Sequence, residues 1–114
     1  MDREGVKAVC LALPGATLDH PWDPGHDAYK VGGKMFAVVG GEGRISFKVS
    51  GIAYEVLTET GRARPAPYMA RARWVNLDSP SDWPDGDLTE HLKSAHALIA
   101  GKLTKKARRD LGLA

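Results

Sequence analysis

Gly32-Gly33 lies between two apolar runs, and Gly40-Gly41-Glu42-Gly43 closes the second of them. Paired glycines adopt the positive φ values that both central positions of a tight hairpin turn require. Residues 28–31 and 34–39 therefore read as a β-hairpin, and the second glycine cluster turns the chain into a further strand over 44–49. In that strand Ile45, Phe47 and Val49 alternate with Arg44, Ser46 and Lys48, which sets an inward row against an outward row. Three successive strands with such short links demand an antiparallel sheet with one buried face.

The segments around this meander have helical spacing. Val6, Val9, Cys10 and Leu13 form one stripe over residues 2–13, stopped by Pro14-Gly15. Ser50 is placed to cap a helix over about 51–60, with Ile52, Val56 and Leu57 facing the sheet and Gly61 at the left-handed C-terminal position. Asp87 and Glu90 have capping-box spacing at the start of a long helix, whose apolar stripe is Leu88, His91, Leu92, Ala95, Leu98 and Ile99. His96 falls on its solvent side. Gly101 ends this helix, and Thr104 caps a short last one, with Leu103, Ala107 and Leu111 against the body. Residues 19–27, 62–67 and 78–86 are proline-rich loops.

Residues 68–77 read as a strand. Period-two alternation puts Tyr68, Ala70, Ala72 and Trp74 on one face and Met69, Arg71 and Arg73 on the other. Two arginines side by side offer forked donors to an anionic partner, and they equally suit a solvated sheet face. The element order predicts a single-domain α+β protein over residues 1–114. Its architecture is a two-layer sandwich with helices on one face of an antiparallel sheet.

Composition narrows the chemistry. The net charge of +2 comes from 16 basic and 14 acidic side chains, arranged in blocks. Residues 61–77 carry four arginines and no acid, residues 78–88 four aspartates and no base, and residues 89–114 six basic groups against two acids. Blocks of one sign fit an oriented anion-binding surface. Cys10 is the sole cysteine and sits on an apolar stripe, so it is a small core residue, and no disulfide or thiolate cluster forms within one chain. No apolar run approaches a membrane span of ~18 residues, and Asp2-Arg3-Glu4 is unlike the start of a secretion signal, so a cytoplasmic location is expected. His20 and His26 share a loop with Asp19, Asp23 and Asp27, but their spacing matches no metal-ligand set and aspartates are common turn formers. No serine, cysteine or histidine lies in a catalytic motif, so neither enzyme activity nor a cofactor is expected.

Several segments together resemble a known family. Tyr29-Lys30-Val31-Gly32-Gly33-Lys34-Met35-Phe36-Ala37 resembles the hairpin of the MmcQ/YjbR-like group. Leu13-Pro14-Gly15 followed by His20-Pro21-Trp22, the strand Ile45-Ser46-Phe47-Lys48, Pro67-Tyr68-Met69 with Trp74, and Ser94 to Lys106 resemble its other segments, in the same order. The chain departs from the pattern in having Arg71 and Arg73 around the usual lysine, no histidine between Tyr68 and Met69, and Ala95 after Ser94. The resemblance implies a frataxin-like sandwich and a role in binding DNA through a double wing of strands and hairpin loops.

On that reading Lys30 and Lys34 flank the wing tip, and Arg44, Lys48, Arg71 and Arg73 project from the strands as a phosphate-binding patch. Tyr68 or Trp74 would stack on a base, although their alternation sets them opposite the arginines and favours a core position for Trp74. The expected contacts are sequence-independent. The alternative is a protein-interaction or small-ligand module on the same scaffold, using the Trp22 and Trp83 loops as an apolar lip.

Overall fold

The computed structural model describes residues 1–67 and 69–113. Six strands form one antiparallel sheet: β1 (Ala16–Asp19), β2 (Asp27–Val31), β3 (Lys34–Val39), β4 (Ile45–Lys48), β5 (Arg64–Pro65) and β6 (Trp74–Leu77). Their spatial order is β1-β2-β3-β4-β6-β5. The helices are α1 (Arg3–Leu11), α2 (Gly51–Glu59), α3 (Asp85–Ala100) and α4 (Lys105–Asp110).

The predicted meander is present. Gly32 and Gly33 both have positive φ, 59° and 79°, as the turn between β2 and β3 requires. The register sets Tyr29 opposite Ala37, Ala37 opposite Phe47 and Phe47 opposite Val75, so one row of side chains crosses four strands. All four are fully buried. A bulge in the β2–β3 pair leaves Phe36 without a single partner, and it too is fully buried. α3 covers β2, β3 and β4 with Leu88, Leu92, Ala95 and Ile99. Val6 and Cys10 of α1 and Leu57 of α2 join the same core, so the helices share one face of the sheet. Each large side chain buried this way contributes about 1.5–3 kcal/mol.

The caps follow the local chemistry. Asp2 accepts from Gly5 N, Ser50 from Ala53 N and Thr104 from Ala107 N. α3 begins two residues before the expected Asp87, with Pro84 at its N-cap and no side-chain cap there. The reciprocal capping box is instead Ser79 with Asp82, closing a 3-10 turn at Pro80–Asp82.

Four further expectations are corrected. The strand over 68–77 is only Trp74–Leu77; Ala70–Ala72 form a 3-10 turn that ends on Arg73 in the left-handed region, φ 61°. The alternation of Arg71 with Arg73 therefore has no strand to act on, and Tyr68 lies outside the described residues. Second, Ile52 and Val56 do not face the sheet and are 81% and 52% exposed. α3 already occupies the sheet's centre, and α2 packs against β5 and β6 at its edge, so Leu57 is its only buried residue. Third, His96 is buried. Its Nε2 donates to the Pro14 carbonyl at 2.7 Å, and its ring meets Phe36 edge-on. Fourth, residues 16–19, not foreseen as a strand, pair with β2 as β1.

Candidate nucleic-acid interface

Register decides which charged groups meet. The β2–β3 turn, the end of β4 and the start of β6 lie at one end of the sheet, because Ala37 pairs with Phe47 and Lys48 pairs with Trp74. The turn after α3 joins them: a Cβ on Gly32 would come within 2.6 Å of a Leu103 methyl. Lys34, Lys48, Arg71, Arg73 and Lys102 are thus gathered at this end. The segments that build it, residues 32–35, 48–54, 69–74 and 101–109, contain no Asp or Glu.

The Lys48 ammonium shows the crowding. The residue as a whole is 8% exposed, and its ammonium donates to the Ala72 carbonyl. Burial first, and then the charges of Lys102 and Arg73, depress its pKa below the ordinary lysine value. Lys48 is therefore not an outward-facing contact, as expected from alternation, but the buried centre of a cationic cluster. The Arg73 guanidinium lies over the Tyr54 ring at 5.3 Å, a cation–π contact that leaves its N–H edges open. Arg71 and Lys34 are exposed, and neither has an ion pair among the described residues.

Two residues of the expected patch are engaged by aspartates, and Lys30 is so although it lies beside the β2–β3 turn, opposite Met35. Lys30 is bound to Asp19 at 2.8 Å, and this hydrogen bond leads in holding the Asp19 carboxyl below its usual range. Arg44 lies at the opposite end of the sheet, 4.0 Å from Asp78, which also pairs with Arg64. Trp74 shares the face of Lys48 and Ser46 by register, away from the helices; it is 5% exposed, and its backbone is hydrogen-bonded to Ala66 and Met69. It is neither in the helix-covered core nor open for stacking. Lys102 was not among the residues expected from sequence. The basic block after Gly101 was the available signal, but only the packing of Leu103 on Gly32 places it.

The far end carries the acids. The Arg3 guanidinium binds Asp27 at 3.0 Å and the Gly40 carbonyl at 2.8 Å, and it also meets the Gly25 carbonyl. His20 holds the second Asp27 oxygen at 3.0 Å, and His26 holds Asp23 at 2.8 Å. The 19–27 loop therefore uses its histidines and aspartates on one another. Among the described residues no three His, Cys, Asp or Glu side chains converge as a metal-ligand group. The tryptophan lip is also absent. Trp83 is buried, with Nε1 donating to the Arg62 carbonyl at 2.9 Å and its ring against Phe47 and His91. An open groove of about 390 Å³ lies instead between α2 and α3.

A two-layer sandwich whose helices cover one face of an antiparallel meander, with cations gathered at one sheet end, defines the class of protein. Residues 11–98 match the YjbR family model, and the chain belongs to that family. It is similar to the crystal structure of Deinococcus radiodurans protein DR2400, which carries a DUF419 domain. The TM-score is 0.84 and the identity 27%, over 96% of this chain and 86% of that one. Comparison with curated proteins returned no match. Among the described residues no helix is long and apolar enough to cross a membrane.

Proposed function

We propose that the protein binds DNA through the acid-free end of its sheet, without catalysing a reaction on it. The observation that carries this reading is the segregation of charge: five cations from four separate segments meet where those segments, among the described residues, hold no carboxylate to pair with them. A cluster of that kind is relieved by an external polyanion, and each neutralised phosphate releases a condensed counterion. Lys34 stands at the tip of the β2–β3 hairpin, which extends the surface as a wing would. The buried Trp74 offers no face to a base, and the groups at hand are ammonium and guanidinium. The contacts therefore go to phosphates and carry no sequence information.

The test is binding to a random-sequence duplex across a salt series, with Lys34→Ala, Arg71→Ala and Lys102→Ala combined in one variant. All three side chains are exposed, so the fold is retained. The parent should bind with a steep negative slope of log affinity against log salt. The variant should lose about 0.9 of slope per removed contact, roughly 2.7 in all. Absence of binding at low salt, or an unchanged slope in the folded variant, would overturn the reading.

A further inference from the structure

The cationic end does not stop at Lys102. The chain leaves α3 through Leu103, which packs on Gly32, and returns through Leu111, whose Cβ would lie 3.5 Å from a Cβ on Gly15. Gly15 leads into β1, whose Ala16 pairs with Val31, the residue before Gly32. α4 is therefore staked at both of its ends across the same end of the sheet, beside the entry to β1 and the exit of β2. Ala107 and Leu111 pack against the core, so the helical period turns Lys105 and Arg109 outward, with Lys106 beside them. All three are exposed. Lys105, Arg108 and Arg109 line one open depression of about 350 Å³. Among the described residues no cation of α4 has an ion pair, and Asp110 is the one acid of residues 101–113.

The other cations of this end lie across the sheet from α4. Arg71 and Arg73 precede β6, which stands three places from β2 and four from β1. At a strand spacing of about 4.8 Å the two sets are about 14–19 Å apart, with Lys34 and Lys102 between them. A row of that length is more than a single small anion can fill. A lipid surface suits it no better, because the apolar side chains of α4 and its C-cap face inward and leave none to insert.

We propose that α4 is the second half of the DNA-binding surface, and that the two halves hold phosphates on opposite rims of one groove of a duplex. This rests on the DNA reading and extends its site. The major groove is about 12 Å wide, and long side chains leaning in from both sets reduce their separation to that span. A duplex offers both rims in a fixed geometry, with one charge per about 1.7 Å of axis. A single strand has half that charge per length and no fixed second rim, so the preferred ligand is double-stranded.

The experiment adds Lys105→Ala, Lys106→Ala and Arg109→Ala, combined in one variant, to the salt series on the random duplex, with a single strand of equal length in parallel. The variant should melt with the parent and lose about 0.9 of slope per contact, roughly 2.7 in all, on top of the loss from Lys34, Arg71 and Lys102. If the triple variant melts early, Lys106→Gln and Arg109→Gln, each alone, should lose about 0.9. The parent should bind the duplex more tightly than the single strand. A parental slope in the folded α4 variant, beside a reduced one in the Lys34, Arg71 and Lys102 variant, would overturn this inference and leave the DNA reading standing. A single strand bound as tightly as the duplex would overturn the two-rim arrangement. Tighter retention on phosphatidylserine vesicles than on duplex would assign α4 to a lipid surface instead, and a parent that binds no duplex at low salt would end both readings.

Discussion

The Arg3 guanidinium holds the Asp27 carboxylate at 3.0 Å and so ties the first turn of α1 to the start of β2 and to the β3–β4 turn. Asp27 is nearly buried, which by itself raises its pKa. The hydrogen bonds from Arg3 and His20 outweigh burial and hold it below the usual carboxylate range. A carboxyl whose pKa is lower folded than unfolded stabilises the fold fully above its unfolded value of about 3.9, and that contribution is lost as pH falls through the folded value.

Stability should therefore be level near neutrality and fall below about pH 4. In Asp27→Asn the acid limb should be shallower but not absent, because Asp19 and Asp23 are also lowered, chiefly by hydrogen bonds from Lys30 and His26. Arg3→Ala should cost about 2 kcal/mol at pH 7, the value of charged hydrogen bonds to a nearly buried group, and less at pH 3. Urea midpoints from pH 7 to pH 3 check both expectations.

The two glycines of the β2–β3 turn should respond differently to one methyl group. Both have positive φ, so alanine costs each about 1 kcal/mol in backbone conformation. At Gly33 nothing lies within 4 Å of the new atom, whereas at Gly32 it meets two Leu103 methyls at 2.6 and 2.7 Å. Gly32→Ala should lose a further 1–3 kcal/mol, roughly the range for overpacking, and should loosen the turn after α3. Denaturant unfolding of the two variants side by side measures the difference.

Arg73 is the one non-glycine residue in the left-handed region among the described residues. Replacing it with glycine removes a backbone cost of about 1 kcal/mol and forfeits a guanidinium–ring contact with Tyr54 of about 0.5–1 kcal/mol. Arg73→Gly should thus leave the unfolding midpoint nearly unchanged while lowering affinity for duplex DNA. The pairing of a thermal melt with a salt titration separates these effects.

The Cys10 thiol is fully buried among core residues, and burial pushes its pKa up to about 12. The thiolate is the reactive form, so native Cys10 should resist alkylation at pH 8 and react quickly in denaturant. Labelling in native buffer should then proceed at the rate of opening of α1. Rapid labelling of the native protein would place the thiol outside the core.

Local signals were legible in the sequence, and side-chain partners were not. Gly32-Gly33, Ser50, Gly61 and Thr104 each act through their own backbone or the next turn, and each took its expected place. Ile52 and Val56 have the spacing of a buried stripe, but α3 holds the ground they would cover, and nothing in α2 itself reports that competition. The Arg71–Arg73 alternation failed because Ala70–Ala72 close into a 3-10 turn that ends on the positive φ of Arg73. His96 looked solvent-facing because its partner, the Pro14 carbonyl, lies 82 positions away. Of the expected patch, Lys34, Lys48, Arg71 and Arg73 share one end with Lys30, but Lys30 answers to Asp19, and Arg44 at the other end answers to Asp78. Those pairings depend on strand register, which a single residue's type does not encode.

The separation of cations from carboxylates along the sheet also has a reach longer than any contact. A net charge of +2 describes a nearly neutral particle, yet Lys34, Arg71, Arg73 and Lys102 lie at one end, whereas Asp27 and Asp78 at the other are matched by Arg3, Arg44 and Arg64, so the positive charge sits off-centre. Within about 8–10 Å of a polyanion, the screening length at physiological salt, the field turns the protein before it touches. Collisions are then pre-sorted by orientation: the end with Lys34 and Lys102 arrives first, and the end with Asp27 and Asp78 trails.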